Sequence, residues 1–276
     1  SGEKLFEALL IRPYGYWAEQ RVEVLRSCRV VTVDPSARCL TTSDGMRIGY
    51  RELIWAAGGE PRRLPCSGRD LQGVHSVRTR ADVDRIREEL DFASRVVVIG
   101  GGYIGLEAAA VLRKLGKHVV VLEACERVLS RVAGPEVSRF FSAAHRAHGV
   151  EVRTSCAVED LVGERGRVCS VRLRTGELIP ADLVIVGIGI TPVVRALLAA
   201  GAEGTPDGVR IDSYCRTSLP GIHAIGDCAL HANRWADGAL IRLESVQNAA
   251  DQANVAVKDI LGTPVPYDTV PWFWSN

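Results

Sequence analysis

Four apolar residues in a row, at 96–99, stop abruptly at glycine, and a helical periodicity then takes over. Ile104, Leu106, Ala108, Ala109, Val111, Leu112 and Leu115 supply its apolar positions until Gly116, after which a second apolar run opens. An unbroken apolar run marks a strand buried on both faces, and the periodic segment marks an amphipathic helix, so 95–121 predicts strand, helix, strand. Upstream, short strands are predicted at 22–25, 28–34, 38–42, 46–48 and 53–57, with a turn at Asp44-Gly45 and a break at 58–61. The same succession returns at 150–155, 158–162, 168–174 and 183–186, with a turn at Thr175-Gly176 and a break at 187–192. Val22-Glu23-Val24 matches Val150-Glu151-Val152, Ser27-Cys28 matches Ser155-Cys156, and Pro61 matches Pro192, an ordered correspondence that predicts a duplication. Further helices are expected at 81–90, at 192–200, and from a Ser245 cap to 261 with Val246, Ala249, Ala253, Val257 and Ile260 on its packed side. A loop is expected at 204–208, and a buried strand at 222–225 closes on Gly226-Asp227.

Composition narrows the function. A chain of 276 residues, 47% hydrophobic, has room for two cored domains. A formal charge of +1 offers no attractive field for nucleic acid or a membrane surface, and no apolar run approaches the roughly 18 residues of a spanning helix. No signal peptide is recognisable, and the eight cysteines form no C-x-x-C pair or metal-ligand cluster, so a reducing, cytoplasmic setting without a metal site is expected.

The chemistry sits at the first strand-to-helix junction. Gly100, Gly102 and Gly105 occupy the G-x-G-x-x-G positions, with Tyr103 and Ile104 opening the helix, and Glu123 ends the second strand about 20 residues on. Such glycines allow a tight turn and close approach to a pyrophosphate, which the helix N-terminus favours; a terminal carboxylate accepts both ribose hydroxyls and repels a 2′-phosphate. NADH is therefore expected over NADPH, with Arg127 and Arg131 as the residues that could soften the discrimination. If the chain is duplicated, the first copy of this fingerprint belongs upstream of Ser1. The opening strand, phosphate loop and helix of the first domain are thus expected to be missing.

The landmarks IGGGYIGLEAAA at 99–110, VGIGITP at 186–192, TSLPGIHAIGDCA at 217–229, ESVQNA at 244–249 and PWFWSN at 271–276 resemble the FAD-dependent NADH:ferredoxin reductases of bacterial P450 and ring-hydroxylating oxygenase systems. The resemblance spans essentially the whole chain. It implies an α/β fold of two Rossmann-like domains of glutathione-reductase type, the first lacking its opening βα unit. Residues 1–91 and 215–267 would form the FAD domain, 92–214 the NAD domain, and 268–276 the start of a further domain. It also implies that Glu107 positions the nicotinamide, that Arg131 helps to hold the nucleotide, and that Gly187, Ile188 and Gly189 approach its nicotinamide half. Val30, Ala56, Gly58, Arg78, Asp227, Ser245 and Val246 would contact FAD; Ala57 departs from the threonine usual beside Gly58. Trp272 and Trp274 would lie near the isoalloxazine or fill the core of the following domain. A [2Fe–2S] ferredoxin is the implied partner, docking near Arg234 and Arg242, with the protein a monomer or weak dimer. Same-fold flavin disulfide reductases and NADH oxidases remain alternatives, as does a nucleotide-binding fragment that holds no flavin.

Overall fold

The computed structural model describes residues 6–275 and divides the chain into two compact units, Ser1–Gly58 with Pro192–Phe273, and Gly59–Thr191 with Trp274–Asn276. These divisions fall at 58/59 and 191/192, whereas the sequence placed them at 91/92 and 214/215. The shift has a packing reason on each side. Strand Val74–Ser76 pairs with Leu183–Val186 and so joins the second unit's sheet, while Val194 and Leu197 are buried in the first unit's core.

The second unit is built on a parallel sheet in the order Val74–Ser76, Leu183–Val186, Arg95–Ile99, His118–Leu122, Glu151–Arg153. Its central strands read as unbroken apolar runs because both faces are covered. Val96, Val98, Val119, Val121, Leu183 and Ile185 face the core of helix Tyr103–Lys114, which contributes Leu106, Ala109 and Leu112. Val97, Ile99, Val120, Leu122, Val184 and Val186 enter a second core with Leu161, Val171 and Ile179. Those last three come from an antiparallel meander of Val158–Glu164, Arg167–Leu173 and Leu178–Pro180. Helix Arg80–Leu90 begins in a capping box, Thr79 accepting from the Asp82 N–H and Asp82 accepting from that of Thr79. Helix Pro135–Ala147, which has no counterpart among the predicted elements, follows the irregular segment after His118–Leu122.

The first unit repeats the meander, as Val30–Asp34, Cys39–Thr42 and Arg47–Gly49. Strand Leu53–Trp55 then pairs in parallel with Ile222–Ala224, as Leu183–Val186 does with Arg95–Ile99. Trp55, Ile222, Ala224, Val255 and Ala256 form the centre of the core, and the Trp55 indole N–H donates to the Val193 carbonyl at 2.7 Å.

Three predicted elements are corrected. Residues 22–25 form no strand: in the second copy Glu151–Arg153 pairs with His118–Leu122, and among the described residues nothing pairs with 22–25, whose valines stay exposed. The helix predicted over 192–200 shrinks to Arg195–Ala199, because Pro192 continues strand Ile190–Pro192. The 204–208 loop is a tight hairpin of Gly204–Thr205 with Gly208–Arg210.

Candidate functional site

Glycine sets the geometry at the end of Arg95–Ile99. Gly100 sits at φ +110°, and a Cβ on it would lie 2.4 Å from the Gly187 carbonyl oxygen; a Cβ on Gly105 would lie 2.0 Å from that of Gly100. Three backbone segments therefore meet where no side chain fits, with the Gly187 N–H donating to the Ile99 carbonyl at 2.8 Å. Gly102 differs: its backbone is extended, and a Cβ there would meet nothing within 4 Å. It caps helix Tyr103–Lys114 without a side-chain acceptor, leaving that helix start open to an anion.

Glu123 completes the turn. Its Oε2 accepts from the Gly101 N–H at 2.7 Å and its Oε1 from the Cys125 N–H at 2.8 Å. The Gly101 carbonyl in turn accepts from the Leu129 N–H at 2.9 Å, so the Gly101 residue is gripped at both ends. Gly101 fills a position that the fingerprint leaves free, yet a Cβ on it would lie 2.8 Å from Val128 Cγ1 and 3.1 Å from Glu123 Oε2. That constraint lies in the loop beyond Glu123 and left no mark in the motif.

The two arginines separate. Arg127 donates to the Ala133 carbonyl at 2.6 Å, to Ser138 Oγ at 2.7 Å and to the Ser130 carbonyl at 3.0 Å, so its fork is committed to the loop. Exposed Arg131 instead brings its Nη2 within 3.1 Å of where a Gly189 Cβ would be. Gly100, Gly102, Tyr103, Ile104, Gly105, Glu123, Arg131, Gly187, Ile188 and Gly189 thus belong to one constellation at the carboxyl ends of parallel strands, where open α/β sheets bind ligands. Glu107, on the second turn of the same helix, accepts from the Ser275 hydroxyl. Asp182 anchors the base of the fingerprint strand, accepting from the Ser94 and Arg95 N–H groups and from the Arg95 guanidinium at 2.6 Å. The Arg95 guanidinium and these N–H groups hold its carboxyl down at about 2.

In the first unit, the carboxyl ends of Leu53–Trp55 and Ile222–Ala224 also lie side by side. The Ile225 N–H donates to the Trp55 carbonyl, and the Cys228 thiol lies 3.6 Å from the same oxygen, so Ala56–Gly58 and the Gly226–Cys228 turn are neighbours. Helix Val246–Ile260 starts against that turn: a Cβ on Gly226 would lie 3.3 Å from that of Ala249, and the Gly226 N–H donates to buried Gln252 at 2.7 Å. Arg242 reaches the Asp227 carbonyl at 2.9 Å. Ala56, Gly58, Asp227, Ser245 and Val246 are thereby brought together, with Ser245 capping the helix through the Asn248 N–H and Val246 largely exposed at its first turn. Val30 packs on the core from the neighbouring sheet, and Arg78 belongs to the other unit. Trp272 and Trp274 are both half exposed and fall to different units. Asn276 lies outside the described residues.

The packed face expected for this helix is corrected. Asn248, Gln252, Val255 and Ala256 are buried, while Val246 and Val257 are exposed. Polar side chains occupy the inner stripe because the turn and loop beneath present backbone groups that need partners: Gln252 serves Gly226, and Asn248 donates to the Leu243 carbonyl while accepting from the Tyr267 hydroxyl at 2.9 Å. Burial pushes the Tyr267 phenol up to about 12.

A family model described as pyridine nucleotide-disulphide oxidoreductase matches residues 7–253. The 5,5′-dehydrodivanillate O-demethylase ferredoxin reductase subunit of Sphingobium sp. (strain NBRC 103272 / SYK-6) is 55% identical over all of this chain and 67% of its own length. A ferredoxin–NAD(P)(+) reductase of Sphingomonas sp. is 52% identical over the same shares of the two chains. Among solved structures, the covalent putidaredoxin reductase–putidaredoxin complex superposes with a TM-score of 0.93 at 37% identity, over 100% of this chain and 67% of the other. The chain thus spans about two thirds of the length of these relatives.

Proposed function

Because the chain belongs to the pyridine nucleotide-disulphide oxidoreductase family, we propose that it is the nucleotide- and flavin-binding part of a reductase that passes electrons from NADH through FAD to a [2Fe–2S] ferredoxin serving an oxygenase. The observation that carries this reading is the glycine turn closed by Glu123, set in a chain 55% and 52% identical to two proteins named as ferredoxin reductases.

The second unit would hold the nucleotide. Glu123 keeps lone pairs beyond the two that its backbone donors use, and these accept the adenosine ribose hydroxyls. The same carboxylate meets a 2′-phosphate with like charge, and Arg127 is already committed to its three oxygen partners, so NADH is preferred. Open space at Gly102 admits the pyrophosphate to the helix start, Arg131 supplies a cation beside Gly189, and Glu107 orients the nicotinamide carboxamide.

The residues of the first unit fit a flavin. Gly58 and Gly226 lie at φ +61° and +71°, and beside them stand an acid, Asp227, and a helix start whose first residue is exposed. Ala56 to Gly58, Asp227, Ser245 and Val246 would hold FAD, with a further contact from Val30. FAD when bound supplies the redox chemistry, taking a hydride and releasing electrons one at a time. The chain's own part is electrostatic: the N-terminus of Val246–Ile260 offers N–H groups where negative charge develops on the flavin. Ferredoxin is proposed to dock near Arg234 and Arg242.

The test is NADH-dependent cytochrome c reduction by the FAD-reconstituted chain with and without a [2Fe–2S] ferredoxin. Ferredoxin-dependent turnover is expected; turnover indifferent to ferredoxin would reject the proposal. A colourless preparation that binds NADH after FAD addition would favour the nucleotide-binding fragment.

A further inference from the structure

Between strand His118–Leu122 and helix Pro135–Ala147 the chain makes a long irregular loop, and its conformation is held from within by one side chain. We propose that Arg127 is a positioning residue for the pyridine nucleotide, its guanidinium fixing the 128–134 loop in the one shape that places Arg131 over Gly189. The proposal rests on the nucleotide-binding reading of this unit.

Four observations support it. The Arg127 fork collects the Ser130 and Ala133 carbonyls and Ser138 Oγ, which is itself buried and donates to the Val128 carbonyl at 2.7 Å. The loop is thus tied at both flanks of Arg131, and also to the first turn of the following helix. Second, Leu129 is fully buried at φ +55°, a left-handed conformation that a branched side chain does not take unless its surroundings impose it. Third, the Leu129 N–H donates to the Gly101 carbonyl, and Val132 and Ala133 both donate back to the Leu129 carbonyl, so the loop is registered directly on the glycine turn. Fourth, Arg131 sits at the apex of this frame, its Nη2 3.1 Å from the space a Gly189 side chain would fill. The loop has two arginines with divided tasks: one fixes the backbone, and the other presents its charge.

The division predicts what lysine would do at 127. An ammonium is a point donor on a flexible stem and cannot hold three acceptors in the plane of a fork. The loop would then explore shapes in which Arg131 leaves Gly189, and nucleotide affinity would fall without loss of the fold.

The experiment is calorimetric titration of NADH into the full chain carrying Arg127→Lys, Ser138→Ala or Arg131→Ala, or Arg131→Ala combined with either of the other two, with circular dichroism and melting as checks of folding. Arg127→Lys is expected to weaken NADH about tenfold, the loss of one charge-assisted hydrogen bond. In the Arg131→Ala background the same change should add less than about twofold, because a residue that acts through Arg131 has nothing left to position. A tenfold loss in both backgrounds, or no loss in either, would overturn the proposal. If Arg127→Lys does not fold, Ser138→Ala removes one of the three Arg127 acceptors together with the bond that Ser138 donates to the Val128 carbonyl; a loss of about threefold that disappears in an Arg131→Ala background supports the assignment, and unchanged affinity overturns it. A folded wild-type chain that takes up no NADH would instead refute the nucleotide reading beneath it.

Discussion

Glu123→Gln isolates the group on which nucleotide choice is proposed to depend. In the native chain one carboxylate oxygen accepts from Gly101 and the other from Cys125. An amide has one oxygen, so its NH2 group must face one of the two N–H donors. Cys125 is exposed and Gly101 is buried, so the oxygen stays on Gly101 and water satisfies Cys125, at a cost of about 1 kcal/mol in stability. Binding changes more. NADH exchanges charge-assisted for neutral hydrogen bonds at its ribose and weakens by about 1.4 kcal/mol, or tenfold. NADPH gains relief from a like charge: two unit charges some 5 Å apart at an effective dielectric of about 20 repel by about 3 kcal/mol, and solvent at this half-buried site reduces that by about half. The NADH-to-NADPH ratio of kcat/KM should therefore fall by about 10², measured by steady-state reduction of ferricyanide with each nucleotide. A ratio within twofold of wild type would refute the role of Glu123.

The second and third fingerprint glycines should respond oppositely to the same added methyl. Gly105→Ala drives a Cβ into the Gly100 carbonyl and should cost about 3 kcal/mol, seen as lost secondary structure or a lowered melting temperature; Gly102→Ala should melt like wild type yet weaken NADH about tenfold in the same titration, its Cβ occupying the pyrophosphate's space. Asp182 carries a pH signature. Its folded pKa is lowered to about 2 from an ordinary 3.8, so its contribution is fully present above about 4 and is lost as pH falls through 2. After allowance for solvent screening that contribution is about 1 kcal/mol, and urea melts of Asp182→Asn should differ from wild type by this amount at pH 6 and converge near pH 2. Gln252→Leu leaves the Gly226 N–H without its acceptor in a fully buried site and should destabilise by about 2 kcal/mol in chemical denaturation; an unchanged midpoint would show that Gly226 finds another partner.

Strand, glycine turn, helix and terminal acid were legible because each leaves a local signature: an apolar run, a residue without Cβ, a 3.6 period, a carboxylate in register with the glycines. The duplication was legible for the same reason, as meander, strand and breaker recur in order. What escaped depends on partners distant in sequence. Residues 22–25 have strand composition, but a strand needs a neighbour. Asn248 and Gln252 look like surface residues until a turn at 226 and a loop at 243 present groups to satisfy. Gly101 is confined by Val128, and Arg127 is committed by Ser138, contacts that no spacing rule encodes. The unit boundaries moved because core membership, rather than element order, decides where residues 59–91 and 192–214 belong.

The central claim is that electrons enter as a pair from NADH and leave singly to an iron–sulfur protein. The most direct test is anaerobic stoichiometry: a limiting, known amount of NADH is added to the FAD-reconstituted chain with excess oxidised [2Fe–2S] ferredoxin, and both chromophores are followed. The account predicts about two ferredoxins reduced for each NADH oxidised. NADH consumed with the ferredoxin left oxidised would contradict it.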